Sequence, residues 1–333
     1  MKQKIKIVAL CLCLAAVSIL APFTMGACDH DPRLIRLSEV TRSVFYAPLY
    51  VAMHNGYFDQ ADIRIELTNA GGADRVMAAL ISGGADVGLM GPEATVYTHV
   101  EGMRDHPVIF GQLTFLDGSF LIGREEMPDF KWSDLEGKHI LAGRAGGMPA
   151  MTLQYVIENT GGLNLNQLNF DTSVEFNLMV GAFEGDTRYD FVTAFEPVAS
   201  NLVKNGRGHI VASVGEASGS VPYTAFSAQK SYLNTNRDLL TDFLIAVQKG
   251  YDFIKANDAL TVAQIVSPLF ASTSLELLAA SIQRYLNIGA WQSSPVMTQN
   301  SFEKLQDIMQ NAGHLKSRAD FNLVVDNSIA ALI

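Results

Sequence analysis

The sequence predicts an α/β protein of two lobes, each a mostly parallel sheet flanked by helices, with the chain crossing twice between them. Three observations carry this prediction. Residues 69–93 read N-A-G-G-A-D-R-V-M-A-A-L-I-S-G-G-A-D-V-G-L-M-G-P-E, two strand, glycine-turn and helix units in succession. The same unit restarts at residues 139–157, after Asp117-Gly118. Beyond residue 230, apolar side chains recur at intervals of three and four, the period of amphipathic helices. With 333 residues, 48% hydrophobic and 17% charged, the chain is long enough for about two ordinary domains and too apolar for disorder.

Lys2, Lys4 and Lys6 precede an apolar run over residues 7–20, and Met25-Gly26-Ala27-Cys28 follows. This is the basic region, hydrophobic region and small-residue cleavage site of an export signal, here residues 1–27, and the run is short for a membrane span. Cys28 after Gly26-Ala27 resembles the lipobox of bacterial lipoproteins, whose cysteine is lipidated and becomes the first mature residue; Met25 stands where leucine is more usual. Cys11 and Cys13 would leave with the signal and Cys28 would carry lipid, so the folded body would hold no thiol. That excludes a thiol nucleophile, a thiolate metal site and a disulfide there. Cleavage removes three lysines and no acids, moving the formal charge from −10 to −13, an acidic body that argues against nucleic acid or anionic lipid as a partner.

After a polar tether at residues 29–32, Leu34, Ile35 and Leu37 make a first strand, and residues 38–43 read as a polar loop. Phe45, Tyr46, Leu49, Tyr50, Ala52 and Met53 give a helix closed by Asn55-Gly56, which sets Ser43, Phe45 and Tyr46 where strand meets helix and leaves Tyr50 and Phe58 to the core. Ile63, Ile65 and Leu67 alternate with polar residues as a second strand, broken by Gly71-Gly72. Asp74 is placed to cap the helix of Val76, Met77, Leu80 and Ile81. Residues 85–90 are a buried-type strand, and Gly91-Pro92-Glu93 opens the next helix with proline near its first position and an acid in its first turn. In open α/β sheets ligands sit at the carboxyl ends of strands and the amino ends of helices, where free N–H groups point, so Gly71, Gly72, Gly91 and Glu93 are ligand-facing candidates. The alternative is that the glycines only make tight turns.

Residues 107–115 read as a fourth strand, Asp117-Gly118 as the first crossing, and residues 119–123 as the strand beyond it. In the second lobe, residues 139–142 are a strand, residues 143–149 a glycine turn holding Arg144, Gly146, Gly147 and Met148, and residues 151–157 a helix. Phe170, Thr172 and Val174 suggest another strand; residues 190–195 are the next, ending at Phe195 with Glu196-Pro197 as a helix start. Residues 209–214 are the last strand there, residues 215–220 its flexible exit, and residues 222–227 the return crossing, which brings Tyr223 to the interlobe region. The expected division is residues 33–118 with 222–333 in lobe 1 and residues 119–221 in lobe 2. Leu239, Leu240, Phe243, Leu244, Val247, Tyr251 and Ile254, and later Phe302, Leu305, Ile308, Met309 and Ala312, form core-facing helical stripes.

These segments carry a resemblance. Residues 46–52 (Y-A-P-L-Y-V-A) with Gly56-Tyr57-Phe58, Gly71-Gly72, residues 82–88 (S-G-G-A-D-V-G), Gly91-Pro92-Glu93, residues 143–149 (G-R-A-G-G-M-P), Phe195-Glu196-Pro197 and Arg284-Tyr285 are similar to the nitrate/sulfonate/taurine-type solute-binding proteins of ABC importers. That family includes receptors for thiamine-pyrimidine precursors and covers nearly the whole mature chain. It implies the type II periplasmic binding protein fold and capture of a small solute by hinge closure. It also implies delivery to an ABC permease with its ATPase, by a protein tethered to the membrane through lipid on Cys28. A monomer without cofactor is expected. At Gln60-Ala61-Asp62 many relatives carry a turn glycine that this chain lacks.

Other chemistries find no footing. Residues 206–211 (G-R-G-H-I-V) precede a strand and lack the third glycine of a dinucleotide fingerprint, there is no Walker-type lysine loop, and residues 215–219 have the wrong spacing for a nucleophile elbow. The seven histidines form no close metal-ligand pair along the sequence and read as surface or loop residues, so no metal is expected. Arg144, in a glycine turn at a helix start, is suited to an anionic group or a carbonyl oxygen; the bland alternative is an interlobe ion pair. Glu93 and Glu196 stand at corresponding corners of the lobes, and helix-dipole stabilisation would explain either alone. Together, across a cleft that also receives Phe45, Tyr46 and Phe195, they read as acceptors for N–H groups on a flat ring stacked between aromatics. Two carboxylates would repel a bare oxyanion, which favours a pyrimidine-like heterocycle, or a zwitterion such as taurine, over nitrate. The competing class is an enzyme of thiamine-pyrimidine or menaquinone precursor metabolism on the same fold, although the yeast-type pyrimidine synthase relies on a cysteine-rich run that this body lacks. A lipid-anchored sensor is a third possibility.

Overall fold

The structure is a computed structural model that describes Arg33–Ile333; the expected signal segment, Cys28 and the tether lie outside the described residues. The chain forms β1 (Arg33–Glu39), α1 (Ala47–His54), β2 (Ile63–Asn69), α2 (Ala73–Ile81), β3 (Val87–Met90), α3 (Glu93–Val100) and β4 (Pro107–Thr114). It continues through β5 (Ser119–Gly123), β6 (His139–Leu141), α4 (Met148–Asn159), β7 (Asn169–Asp171), β8 (Phe191–Phe195), α5 (Val198–Lys204), β9 (His209–Ser213) and α6 (Val214–Ser218). Then come β10 (Thr224–Gln229), α7 (Arg237–Ala256), α8 (Leu275–Asn287) and α9 (Gln299–Asn311), with shorter helices between and after them.

Two five-stranded sheets result, ordered β2-β1-β3-β10-β4 and β7-β6-β8-β5-β9. In the first, β1 pairs parallel with β2 and β3, and β10 runs antiparallel to β3 and β4. In the second, β6 pairs parallel with β7 and β8, and β5 runs antiparallel to β8 and β9. The two sheets therefore repeat one plan: four strands point the same way, and the reversed strand is the one that follows a crossing. Each crossing leaves from the carboxyl end of a strand, so both glycine-rich edges, and both linking segments, gather at one cleft.

Burial explains how the helices lie on the first sheet. Phe243 of α7 sits 5.0 Å from Phe226 of β10 and 5.3 Å from Phe58, all three buried, at about 1.5–3 kcal/mol for each such side chain removed from water. Gly250, mid-way along α7, rests on the Pro48 carbonyl of α1, where a Cβ would overlap that oxygen. A central glycine costs a helix about 1 kcal/mol, and here it lets two helices approach closely enough to cover the sheet.

Local differences from the sequence reading have physical causes. Residues 38 and 39 are not loop: β1 continues through Glu39, which pairs in register with Asn69 and Leu89 and is fully buried. Its carboxylate is tolerated because it accepts from the Tyr50 hydroxyl at 2.6 Å and lies 3.0 Å from Arg42. Asp74 does not cap α2; Gly72 holds the cap position with no side-chain bond, and Asp74 lies in the first turn. Asp62 adopts a φ of +55°, the left-handed conformation a glycine would supply, which aspartate tolerates better than most residues. The strand at Phe170 spans only Asn169–Asp171. Residues 215–220 are no flexible exit: Val214–Ser218 is helical, Ser213 caps it by accepting from the Glu216 amide at 3.2 Å, and Gly215 is buried against the Asp117 carbonyl. Among the described residues no helix is long and apolar enough to cross a membrane.

Candidate functional site

The cleft holds a cavity in which the centre of a water molecule can range over about 60 Å³. That is room for a small molecule and not for a polymer. Ser43, Phe45, Tyr46, Gly72, Gly91 and Glu93 line it from one side and Arg144, Gly147, Met148 and Phe195 from the other, with Tyr223 at the return crossing. The sequence reading missed Thr41, Asp74, Glu175, Phe176 and Thr224, which also line it. Glu175 and Phe176 lie in a stretch without glycine or strand pattern, so nothing local marked them. Gly71 and Gly146 are not on the cavity; with φ of +77° and +72° they make the turns that bring their neighbours there.

Five aromatic side chains, Phe45, Tyr46, Phe176, Phe195 and Tyr223, line the wall. Phe45 lies 5.8 Å from Phe195 and 5.9 Å from Tyr223, and Phe195 lies 5.7 Å from Phe176. The turn Val44–Tyr46 is positioned by Ser43, whose Oγ accepts from the Phe45 amide at 3.2 Å and donates to the Glu196 carbonyl of the facing lobe at 2.6 Å. The Phe45 carbonyl accepts from the Trp291 indole N–H at 2.9 Å. Phe45 is therefore held from both lobes, a rigid stacking face.

Three polar groups stand out against these rings. Glu93 is 2% exposed, and its Oε2 has no hydrogen-bond partner. Burial pushes its carboxyl up to about 7, against the pull of the backbone amide of Glu93, the Arg144 guanidinium and the Met148 amide. The Tyr223 hydroxyl is buried without a well-formed hydrogen bond, and burial, with Asp117 and Glu93 nearby, raises its pKa well above the ordinary range. Asp117, fully buried on the first crossing, accepts from the Ser119 amide at 2.7 Å through Oδ1 while Oδ2 is unpartnered, and burial lifts it to about 7.

Charged pairs span the mouth. Arg144 lies 3.7 Å from Asp74, and Arg75 lies 3.5 Å from Glu175. All four side chains are a third to a half exposed, so each pair contributes about 0–1 kcal/mol. Off the cavity, the Tyr97 hydroxyl donates to the Gly146 carbonyl at 3.0 Å.

Glu196 requires a correction. Instead of turning its carboxylate to the cavity, it binds α8 and α5. Oε1 accepts from Ser200 Oγ at 2.8 Å and pairs with Arg284 at 3.1 Å; Oε2 accepts from the Ser200 amide at 3.0 Å and from Ser281 Oγ at 3.1 Å. The Glu196 amide donates to the Tyr285 hydroxyl at 3.0 Å, and that hydroxyl donates to the Gly118 carbonyl at 3.0 Å. Fully buried, Glu196 is a knot joining the end of β8 to α8 and the first crossing.

One described histidine lies off the surface, although in a loop. His106 is buried, and its Nε2 lies 3.1 Å from Nδ1 of His99. His106 Nδ1 donates to the Pro107 carbonyl at 3.0 Å, so in the neutral ring Nε2 accepts and His99 Nδ1 donates. Among the described residues no group of three or more histidine, cysteine, aspartate or glutamate side chains is placed to hold a metal.

A two-lobed α/β body with a doubled crossing and a small aromatic cavity between the lobes is a periplasmic binding protein architecture. The family model described as NMT1/THI5 like matches residues 44–259, and the chain belongs to that family. It is 36% identical over 315 residues, 94% of each chain, to the protein of Bacillus subtilis (strain 168) titled "Putative binding protein YtlA". Its fold is similar to that of the alkanesulfonate-binding protein SsuA from Xanthomonas axonopodis pv. citri bound to MOPS, with a TM-score of 0.72 at 16% identity over 90% of this chain and 100% of that one. It is also similar to the desulfurization enzyme DSZB, with a TM-score of 0.60 at 13% identity over 90% of this chain and 98% of that one. At such identities the likeness is one of fold.

Proposed function

We propose that the chain is the extracytoplasmic, lipid-anchored solute-binding protein of an ABC importer, and that its solute is a small nitrogenous heterocycle of pyrimidine type. The observation that carries the ligand class is a buried carboxyl, Glu93, with one oxygen unpartnered, in a cavity also lined by Phe45 and Phe195. A flat ring stacks there and donates an N–H to Glu93. A sulfonate, the ligand class of the alkanesulfonate-binding neighbour, is the rival. The cavity lining counts three carboxyls, Asp74, Glu93 and Glu175, against the single guanidinium of Arg144, which disfavours an anion. The enzyme reading, raised by the desulfurization neighbour, has less support: the lining residues include no histidine, cysteine or lysine, and the carboxyls stand without a nucleophile paired to them.

Calorimetry against pyrimidines, flavins, taurine, alkylsulfonates and nitrate tests the ligand class. A pyrimidine-type compound is expected to bind, with Phe195→Ala weakening it by about 1–3 kcal/mol, the range for loss of one stacking face. Glu93→Gln should weaken it further. Tight nitrate or sulfonate binding that survives Glu93→Gln would overturn this assignment. The anchor is tested separately: Cys28→Ala should move the protein from the membrane to the soluble fraction, and unchanged membrane association would reject the lipid.

A further inference from the structure

The cleft does not end at the cavity that Glu93 lines. Beyond Phe176 and Phe195 is a second chamber, in which the centre of a water molecule can range over about 170 Å³, more than in the first. Thr41, Ser43, Phe176 and Phe195 line both, so the two spaces adjoin along those side chains. Their charges differ. Three carboxyls face one guanidinium in the first chamber, whereas the charged residues lining the second are Arg42 and Glu196. Glu196 has both oxygens taken by Ser200, Ser281 and Arg284, and Arg284 offsets its charge. Arg42 has donors to spare. Its Nε lies 3.0 Å from Oε1 of Glu39, its guanidinium stands 5.5 Å from the centre of the Tyr50 ring, and Nη1 is buried with no hydrogen-bond partner. Glu39 is itself fully buried and accepts from the Tyr50 hydroxyl at 2.6 Å. Burying an acid is a costly way to fasten a loop. Here the bonds from Tyr50 to Glu39 to Arg42 hold the one guanidinium of the chamber wall in a fixed orientation, as a binding group is held by a supporting shell. Met179, Val180 and Val198 give the same chamber an apolar side.

We propose that this chamber is a second subsite, which takes an acidic oxygen group, a carboxylate or phosphate, carried on an arm of the solute, with Arg42 as the donor. The ring occupies the first chamber, the arm passes Phe195 and Phe176 along the apolar side, and the guanidinium meets the acid at its end. The division of charge suits a two-part ligand. Asp74, Glu93 and Glu175 repel an acid from the first chamber, and Arg42 receives it in the second, so the arm also fixes which way the ring lies. The place of the ring rests on the proposed heterocycle; the acceptance of an acidic group rests on Arg42 and its chamber alone.

Thymine-1-acetate and 3-(thymin-1-yl)propanoate, rings with acids on a shorter and a longer arm, are compared by calorimetry with 1-methylthymine, which has no acid. Malonate, an acid without a ring, is titrated by thermal shift. Wild type, Arg42→Gln and Arg42→Lys are measured at constant ionic strength. At least one of the acid-bearing rings should bind wild type about tenfold more tightly than 1-methylthymine, the size of one charge-assisted hydrogen bond. Arg42→Gln, which can still hydrogen-bond Glu39, should remove both that preference and the malonate shift. Arg42→Lys keeps the charge without the fork, guards against a misfolded glutamine variant, and should retain part of each. Equal binding of the rings with and without an acid, or a preference that survives Arg42→Gln, would overturn the inference. If none of the thymines binds, the heterocycle assignment falls and the chamber is judged on malonate: a shift that Arg42→Gln abolishes upholds the subsite, and no shift, or one that persists, overturns it.

Discussion

Stability should fall as pH rises from 5.5 to 8, the reverse of the trend common in proteins held together by surface carboxylates. Glu39, Glu93 and Asp117 are buried carboxyls, each lifted by burial to about 7 from an ordinary value near 4. Between those values the folded chain holds protons that the unfolded chain has released, so the derivative of unfolding free energy with pH is negative there. The extra stability is complete below the unfolded values and is lost as pH climbs through about 7. Each group contributes about 2 kcal/mol between pH 5.5 and 8. The charged and titratable groups facing them are Arg42, Tyr50 and Tyr46 at Glu39, Arg144, Tyr46, Tyr97 and Tyr223 at Glu93, and Tyr223 at Asp117. Two histidines oppose the trend: burial lowers His54 and His99, and their contribution is present above the ordinary histidine value and lost as pH falls through the lowered one. Urea unfolding at pH 5.5, 7 and 8 should give a declining midpoint, and the Glu39→Gln/Asp117→Asn double variant should flatten that decline. A midpoint that rises with pH in the wild type, or a slope unmoved by both substitutions, would reject the assignment.

Glu196→Ala should destabilise the protein by about 3–5 kcal/mol, the cost of leaving a buried ionic network without one partner. Ser200, Ser281 and Arg284 would all lose their acceptor at once. Glu196→Gln retains volume and some acceptor capacity and should recover part of the loss, whereas Arg284→Ala, whose side chain is about a third exposed, should cost less than Glu196→Ala. The lobes should also lose alignment, because the same residue ties β8 to α8, so small-angle scattering should report a larger radius of gyration. A urea midpoint near that of the wild type together with unchanged scattering would show that the knot is replaceable.

Glu196 also marks where sequence stops being informative. Its place after a strand and before a proline was legible, since that is local, and the same reasoning placed Ser43, Phe45, Glu93 and Phe195 at the carboxyl ends of strands, where the cavity lies. Its partners were not legible: Arg284 and Ser281 are more than eighty residues away, and no local rule says that a carboxylate will meet them in place of a ligand. Glu39 failed for a related reason. Polar residues 38–43 imitate a loop, and only the Tyr50 hydroxyl and Arg42, brought close by the fold, make a buried strand glutamate affordable. His99 and His106 look unrelated in sequence because the intervening turn, not a helical or strand period, sets them ring to ring. The alternation of strands and helices, by contrast, is written residue by residue, and it survived nearly intact.

The position of β10 has a consequence for assembly. The second sheet is built from one stretch, β5 to β9, and all its pairings are available once Ser213 has emerged. The first sheet keeps a vacant slot between β3 and β4 until residues 224–229 arrive, more than a hundred positions after β4 has been made. On a chain emerging from its amino end, the inserted lobe therefore gains its full strand pairing while the lobe that begins the domain waits with two unpaired strand edges. Slow closure over long sequence separations, and exposure of such edges, are the conditions under which chains associate wrongly.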